Sequence, residues 1–282
     1  MQVIERVDEL SAALADERAL GHTVGLVPTM GALHDGHASL IERAGGECEH
    51  VVVSLFVNPL QFGPSEDFAS YPRDLEADIA VAKKAGADVV FAPAREEMLP
   101  GDARTTVHVD GLGDVLEGTA RPGHFEGVAT VVTKLLALAG RCRAYFGEKD
   151  FQQLVVVRRL VADLSLPATV VGCATVRDFD GVALSSRNRY LSVEGRAAAP
   201  VLYRALRAGA ASIVAGEQDV VAVTDLMGAI VEAEPLVELG YAAVVEPVTL
   251  APPSVLDGEL RLLVAARVDG TRLIDNVPAV AG

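Results

Sequence analysis

The chain has 282 residues, 50% of them hydrophobic, and 24 Lys plus Arg against 39 Asp plus Glu leave a formal net charge of −15 at pH 7. That length exceeds a minimal core and predicts one large domain or two unequal ones. A 22% share of charged residues is ordinary for a folded chain and excludes a disordered one. The acidic balance repels nucleic acid and anionic membranes, so neither is an expected partner, and an anionic ligand must be met by a locally cationic pocket. Cys48, Cys142 and Cys173 are widely spaced, with no CxxC or Cys/His pattern. No metal-ligating side chains and no disulfide framework are therefore expected, and a reducing cytoplasm is the expected compartment. No uncharged apolar run approaches the roughly 18 residues of a membrane span.

In chain order, residues 1–20 (MQVIERVDELSAALADERAL) mix acids into apolar positions and read as an amphipathic helix, not a signal peptide. Residues 23–27 (TVGLV) are a buried-strand candidate, and 36–44 read as a helix. VVVSLFV at 51–57 is a stronger strand because β-branched residues dominate it. Residues 74–85 predict a helix stopped at Gly86, and ADVVFAP at 87–93 predicts a third strand. Residues 125–139, 142–146 (CRAYF), 150–164 and 168–173 (ATVVGC) continue as helix, strand, helix, strand. This alternation predicts an α/β fold, a Rossmann-like doubly wound parallel sheet over residues 1–175. The texture then changes. Residues 193–215 and 220–233 read as helices, and YAAVVEP, RLLVAARV and TRLIDNV read as strands, with Asp269-Gly270 as a hairpin signal. A smaller α+β domain with a short antiparallel sheet is expected over 176–282, joined near 174–180.

Ligands of doubly wound sheets bind beyond the carboxyl ends of the strands. PTMGALHDGH, NPLQF and GEKD each follow a predicted strand. From Pro28 to His37 a strand ends, the chain turns at Gly31 and a helix begins near Gly36. Gly36 lets a ligand approach the backbone, and a helix N-terminus offers N–H groups and partial positive charge to a phosphate. His34 and His37 are three apart and can donate hydrogen bonds to a phosphate that gains charge in a transition state. The plainer alternative is that one of them caps the helix. Lys149 falls in the first turn of a predicted helix, against the usual preference for acids there, which predicts an anionic partner. Gln153, four residues on, would share its helix face. Asn58 and Gln61 are neutral amides that can orient a hydroxy acid. Arg187, beside Ser185 and Ser186, suits bidentate phosphate contacts.

HDGH resembles the HxGH signature of the nucleotidylyltransferase superfamily, which includes the class I aminoacyl-tRNA synthetases and implies adenylyl or nucleotidyl transfer. The longer strings are more specific. PTMGALHDGH, FVNPLQF with Tyr71-Pro72-Arg73, RPGHFEGV (121–128), FGEKDFQQ (146–153) and SSRNRYL (185–191) resemble, in order, the pantothenate synthetase family. SSRNRYL stands where related enzymes carry KMSKS. LLVAARVDGTRLIDN at 262–276 also fits and is assigned a structural role. The resemblance implies ATP binding by Pro28, Thr29, Met30, Gly31, His34, Gly36 and His37, and by Gly147, Glu148, Lys149 and Asp150. It adds Val176, through its backbone to adenine, and Leu184, Ser185, Ser186 and Arg187. It implies pantoate and β-alanine binding by Met30, Asn58, Gln61, Tyr71, Gln153, Arg121 and His124, with a positive charge near the phosphates as the alternative for the last two. His34, His37, Lys149, Ser185, Ser186 and Arg187 are its catalytic set, acting by charge stabilisation without a nucleophile. Leu184 departs from the Met of many members.

The implied activity is an ATP-dependent ligase. It activates (R)-pantoate as pantoyl-adenylate, passes the acyl group to β-alanine, and releases AMP and pyrophosphate. Mg²⁺ would bridge the phosphates with few or no protein ligands, and a homodimer with a C-terminal lid domain is the family expectation. Two alternatives stand beside it: a nucleotidylyltransferase that makes a stable adenylylated product, and a non-catalytic nucleotide-binding module.

Overall fold

The computed structural model describes residues 1–64 and 66–282. These divide into two compact units, Met1–Glu148 with Gln152–Ala174, and Lys149–Phe151 with Thr175–Gly282.

The first unit carries strands β1 (Gln2–Ile4), β2 (Val24–Thr29), β3 (His50–Leu55), β4 (Val89–Phe91), β5 (Cys142–Gly147) and β6 (Ala168–Cys173). Its helices are α1 (Val7–Ala19), α2 (Asp35–Glu47), α3 (Leu75–Lys84), α4 (Arg95–Met98), α5 (Glu117–Ala120), α6 (His124–Ala139) and, from Gln152 on, α7 (Phe151–Asp163). The strands form one parallel sheet in the order β1-β4-β3-β2-β5-β6. A parallel sheet is covered on both faces, so its strands must be apolar throughout. Val24, Leu26, Val27 and Val51 to Val53 are each at most 1% exposed. Leu26 and Val52 pack with Leu10, Leu14, Leu135 and Leu136 on one side. Val27 and Val53 pack with Leu40, Ile41 and Ala82 on the other. The predicted doubly wound α/β sheet is what the chain builds.

Some local expectations differ. Residues 1–20 are not one helix, because Gln2–Ile4 pairs with β4 in the register Gln2↔Val89 to Ile4↔Phe91 and the helix starts only at Val7. Three residues are too few for a period-2 pattern to show against a helical stripe, so only the distant partner strand decides. The predicted helix over 150–164 begins later. From Gly147 the chain enters a 3₁₀ turn, Glu148–Asp150, and α-helical geometry starts at Phe151. Lys149 thus precedes the regular helix, and the shared helix face with Gln153 does not apply.

Strand order reverses beside β2, which has β3 on one side and β5 on the other. The chain leaves β2 at Thr29 and β5 at Gly147, so the 28–37 loop opens at the topological switch point, where such sheets bind ligands.

The second unit has α8 (Val193–Ala198), α9 (Val201–Val214), α10 (Val220–Glu232) and an antiparallel sheet of β7 (Val237–Val245), β8 (Gly258–Val268) and β9 (Thr271–Ala281). The single helix predicted over 193–215 is interrupted at Pro200, which has no N–H to continue a ladder and begins the second helix instead. Asp269 (φ 48°) and Gly270 (φ 77°) make the left-handed two-residue turn between β8 and β9. One sheet face is apolar: Leu262, Val264 and Val277 pack with Leu202, Leu206, Met227 and Val231 of α9 and α10. Among the described residues no helix is long and apolar enough to cross a membrane.

Candidate active site

The 28–37 loop is held from below. Thr29 donates from Oγ1 to the Ser54 carbonyl (2.7 Å) and accepts from the Gly31 N–H (3.1 Å). Gly31 (φ 81°) and Ala32 (φ 51°) both lie in the left-handed region, which costs a non-glycine residue about 1–2 kcal/mol. Asp78 of α3, 5% exposed, offsets this strain: its two carboxylate oxygens accept from the N–H groups of Ala32 (3.0 Å) and Leu33 (2.7 Å). A Cβ at Gly31 would lie 2.8 Å from Asp78 Oδ2. Sequence reading missed Asp78, because beside Glu76 it looks like an ordinary first-turn acid facing the helix dipole.

His34 caps α2, its Nδ1 accepting from the Gly36 N–H at 3.1 Å. The capping alternative is therefore true of this residue, and it does not compete with a chemical role. An acceptor Nδ1 leaves the proton of the neutral ring on Nε2, which makes Nε2 a donor. The His37 ring stacks against it with centroids 4.1 Å apart and planes tilted by 37°. Both imidazoles thus stand at the positive end of α2, where an anion is favoured.

The amide residues form a chain of support. Asn58 is 2% exposed, and its Oδ1 accepts from the Leu60 N–H at 3.0 Å. Its Nδ2 donates to the Gly127 carbonyl (2.9 Å) and to Gln61 Oε1 (3.1 Å). Gln61 Oε1 is thereby occupied, and Nε2 donates to Met30 Sδ at 3.0 Å. Asn58 sets the orientation of the Gln61 amide. Tyr71 is 5% exposed and packs edge-on to Phe62.

Arg121 and His124 lie beside Gln61. Arg121 is paired with Glu66 through Nε (2.8 Å) and Nη2 (2.6 Å), and donates to His124 Nε2 at 3.1 Å. His124 then donates from Nδ1 to the Gln61 carbonyl at 2.8 Å. Burial, and then the Arg121 guanidinium, push the His124 pKa down to about 4. The ring is held neutral, the arginine is paired with Glu66, and His124 braces the Gln61 backbone through its carbonyl. A pH dependence follows. Between the ordinary value of 6.5 and about 4 the unfolded chain binds a proton that the folded chain refuses. Stability therefore falls as pH drops through that window, by about 3 kcal/mol at its acid end. Denaturant titrations of wild type and His124→Asn from pH 7.5 to 4.5 check this: the variant, without the titrating ring, should lose less stability on acidification.

In the second unit Lys149, Ala183, Ser185, Asn188, Ile274 and Asp275 line one cavity. The Lys149 side chain is 19% exposed, and its Nζ lies 3.4 Å from Asp150 Oδ1, a loose contact by ion-pair standards. Ser185 caps the 3₁₀ turn Ser186–Tyr190 by accepting from the Arg187 N–H (3.3 Å). Asn188 ties that turn to the Ala183 carbonyl (3.0 Å). The Val176 carbonyl accepts from the Leu184 N–H at 3.0 Å in a narrow hairpin. In the first unit Gly147 ends β5, and Glu148 opens the turn that follows. Of the glutamine pair on α7, Gln152 is 4% exposed and is spent on the Glu117 N–H and the Leu112 and Val115 carbonyls. Gln153 is the partly exposed member. The cysteines are buried, and burial pushes the Cys142 thiol up to about 12, so none is an activated nucleophile.

The family model for pantoate-beta-alanine ligase matches residues 2–278. The chain belongs to the pantoate-beta-alanine ligase family. It is 51% identical over 276 residues to a pantothenate synthetase of Cereibacter sphaeroides, covering 98% of this chain and 99% of that one. It is 54% identical over 261 residues to the pantothenate synthetase of Deinococcus radiodurans, covering 90% and 93%. The crystal structure of pantothenate synthetase from Thermus thermophilus superposes with a TM-score of 0.93 at 52% identity, covering 98% of this chain and 99% of that one. A Francisella tularensis pantoate-beta-alanine ligase, complexed with beta-gamma ATP and beta-alanine, superposes with a TM-score of 0.81 at 31% identity, covering 98% and 97%. Membership of this ligase family accounts for a switch-point loop that carries two imidazoles on a helix N-terminus together with an oriented amide.

Proposed function

We propose that the chain condenses (R)-pantoate with β-alanine to pantothenate, driven by conversion of ATP to AMP and pyrophosphate. The observation that carries this reading is the match of residues 2–278 to the ligase family. A carboxylate resists an amine because its leaving group would be oxide, and adenylation replaces that group with AMP. In the first step a pantoate carboxylate oxygen bonds to the α-phosphorus of ATP and the bond to pyrophosphate breaks. In the second the β-alanine nitrogen bonds to the acyl carbon, AMP departs, and the amine loses a proton.

Phosphoryl transfer needs positioning and charge neutralisation more than covalent protein chemistry. His34 Nε2, His37, Lys149, Ser185, Ser186 and Arg187 are assigned to the triphosphate. The backbone of Pro28 to Gly31, Gly36 and Gly147 to Asp150 forms its bed, and Val176 and Leu184 serve the adenine. Gln61, oriented by Asn58, and Gln153 are assigned to pantoate, with Met30 and Tyr71 beside them. Arg121 and His124 act through Gln61. Asp78, the carboxylate beneath the loop, is committed to two backbone N–H groups. The one cluster of three potential ligands among the described residues, His108, Asp110 and Asp114, is exposed. Mg²⁺ bound with the nucleotide would need few or no protein ligands and would supply charge neutralisation. A cytoplasmic homodimer is part of the same reading.

The test is AMP release with ATP, pantoate and β-alanine, each omitted in turn. The reading requires all three. Pyrophosphate release with ATP and pantoate alone, capped near one equivalent of enzyme, marks the adenylate. A stable adenylylated product accumulating beyond one equivalent without β-alanine would instead support a nucleotidylyltransferase.

A further inference from the structure

Lys149 belongs, with Asp150 and Phe151, to the second unit. Within it the three residues meet the sheet face opposite α9 and α10. On that face β8 and β9 present Arg261 and Asn276, which sit diagonally in the register Arg261↔Pro278 and Leu263↔Asn276. Asn276 is 2% exposed and Arg261 7%. An amide and a guanidinium are costly to bury, and an apolar pair would be the cheaper filling.

Their contacts show what they hold. Arg261 Nε donates to Asn276 Oδ1 at 2.7 Å. A guanidinium cannot accept, so this bond settles the orientation of the amide. Asn276 Nδ2 is turned to the backbone carbonyl of Lys149, 2.8 Å away. The Arg261 guanidinium also lies over the Phe151 ring, 4.2 Å from its centroid. The strand beneath is itself pinned. Arg177 grips Asp275 with two bonds (2.6 and 2.9 Å) and donates to the Asn276 carbonyl (3.1 Å), and Asp275 accepts from the Asn276 N–H (2.7 Å).

We propose that Asn276, oriented by Arg261, is a positioning residue for Lys149: it clamps the lysine's carbonyl and so fixes where the ammonium group begins its reach. This rests on the assignment of Lys149 to the triphosphate. The C-terminal hairpin is then part of the phosphate-binding apparatus as well as a structural cap. A lysine in a 3₁₀ turn outside the regular helix lacks the α-helical hydrogen bonds that would otherwise fix its backbone, and the clamp replaces them.

Asn276→Asp is nearly isosteric and keeps the acceptor for Arg261, but it loses the donor to Lys149. Hydrogen–deuterium exchange of the full-length chain should show faster exchange confined to the segment around 149–151, with β7 to β9 unchanged. Pyrophosphate exchange into ATP should fall at least tenfold, with the KM for pantoate unchanged. In a Lys149→Met background the same substitution should cost less than twofold, because its effect passes through the lysine. If Asn276→Asp folds poorly, Arg261→Met removes the orienting donor while keeping packing over Phe151, and the same segment should loosen. Unchanged exchange around 149–151 overturns the clamp. Additive losses in the double variant overturn its action through Lys149. If Lys149→Met alone keeps wild-type activity, the assignment of the lysine is what fails, and hydrogen exchange still decides the clamp.

Discussion

Replacing His37 by alanine is expected to lower pyrophosphate exchange into ATP by roughly 10²–10³, the cost of removing one preorganised donor to a charge that grows in the transition state. The fold should survive, because His37 is partly exposed and the α2 cap is provided by His34. His34 allows a cleaner separation. Asparagine is among the best N-cap residues, so His34→Asn keeps the bond to Gly36 and removes only the Nε2 donor. Its melting temperature should match wild type while its exchange rate drops by a similar factor. A His34→Asn enzyme with full exchange activity would leave the imidazole a capping role alone. Lys149→Ala should lose as much as His37→Ala.

Asp78→Ala is expected to weaken both stability and catalysis. Two buried N–H groups, those of Ala32 and Leu33, lose their acceptor. Bonds to a charged acceptor contribute about 1.5–3 kcal/mol each, so the loss should approach about 3–6 kcal/mol. Ala32 would no longer be held at φ 51°, and the loop would relax away from the geometry that faces a nucleotide. The KM for ATP should rise and exchange should fall at least tenfold, while the KM for pantoate changes less. Asp78→Asn, with one acceptor oxygen in place of two, should fall between. Gly31→Ala probes the same contact from the other side: its Cβ would sit 2.8 Å from Asp78 Oδ2 in a left-handed backbone. Denaturant unfolding and initial-rate kinetics on the three variants check both arms, and wild-type values for Asp78→Ala would remove it from the site.

Much of this molecule was legible in its sequence. Apolar β-branched runs alternating with amphipathic ones specify a parallel sheet covered on both faces, because a strand buried on both sides cannot carry polar residues at either parity. The turn and helix start that follow β2 at PTMGALHDGH were legible as well, since glycine and helix N-termini act locally. Lys149, His34 and His37 could be singled out because their chemistry is unusual for where they stand in the chain, and Gln61 through the family resemblance.

What the sequence could not supply was the partner of each residue. Gln2–Ile4 is a strand only because β4 lies beside it. Asp78 looks like a helix-start acid until its carboxylate is found beneath residues 46 and 45 positions upstream. The pairing of Arg121 with Glu66 and the buried, neutral ring of His124 are not visible in the sequence either. Asn276 reads as strand filling until Arg261 turns its amide toward Lys149. The physical reason is the same each time. Periodicity, glycine and capping are decided within a few residues, whereas charge state and hydrogen-bond direction depend on groups brought together from far along the chain, and only the folded arrangement says which groups those are.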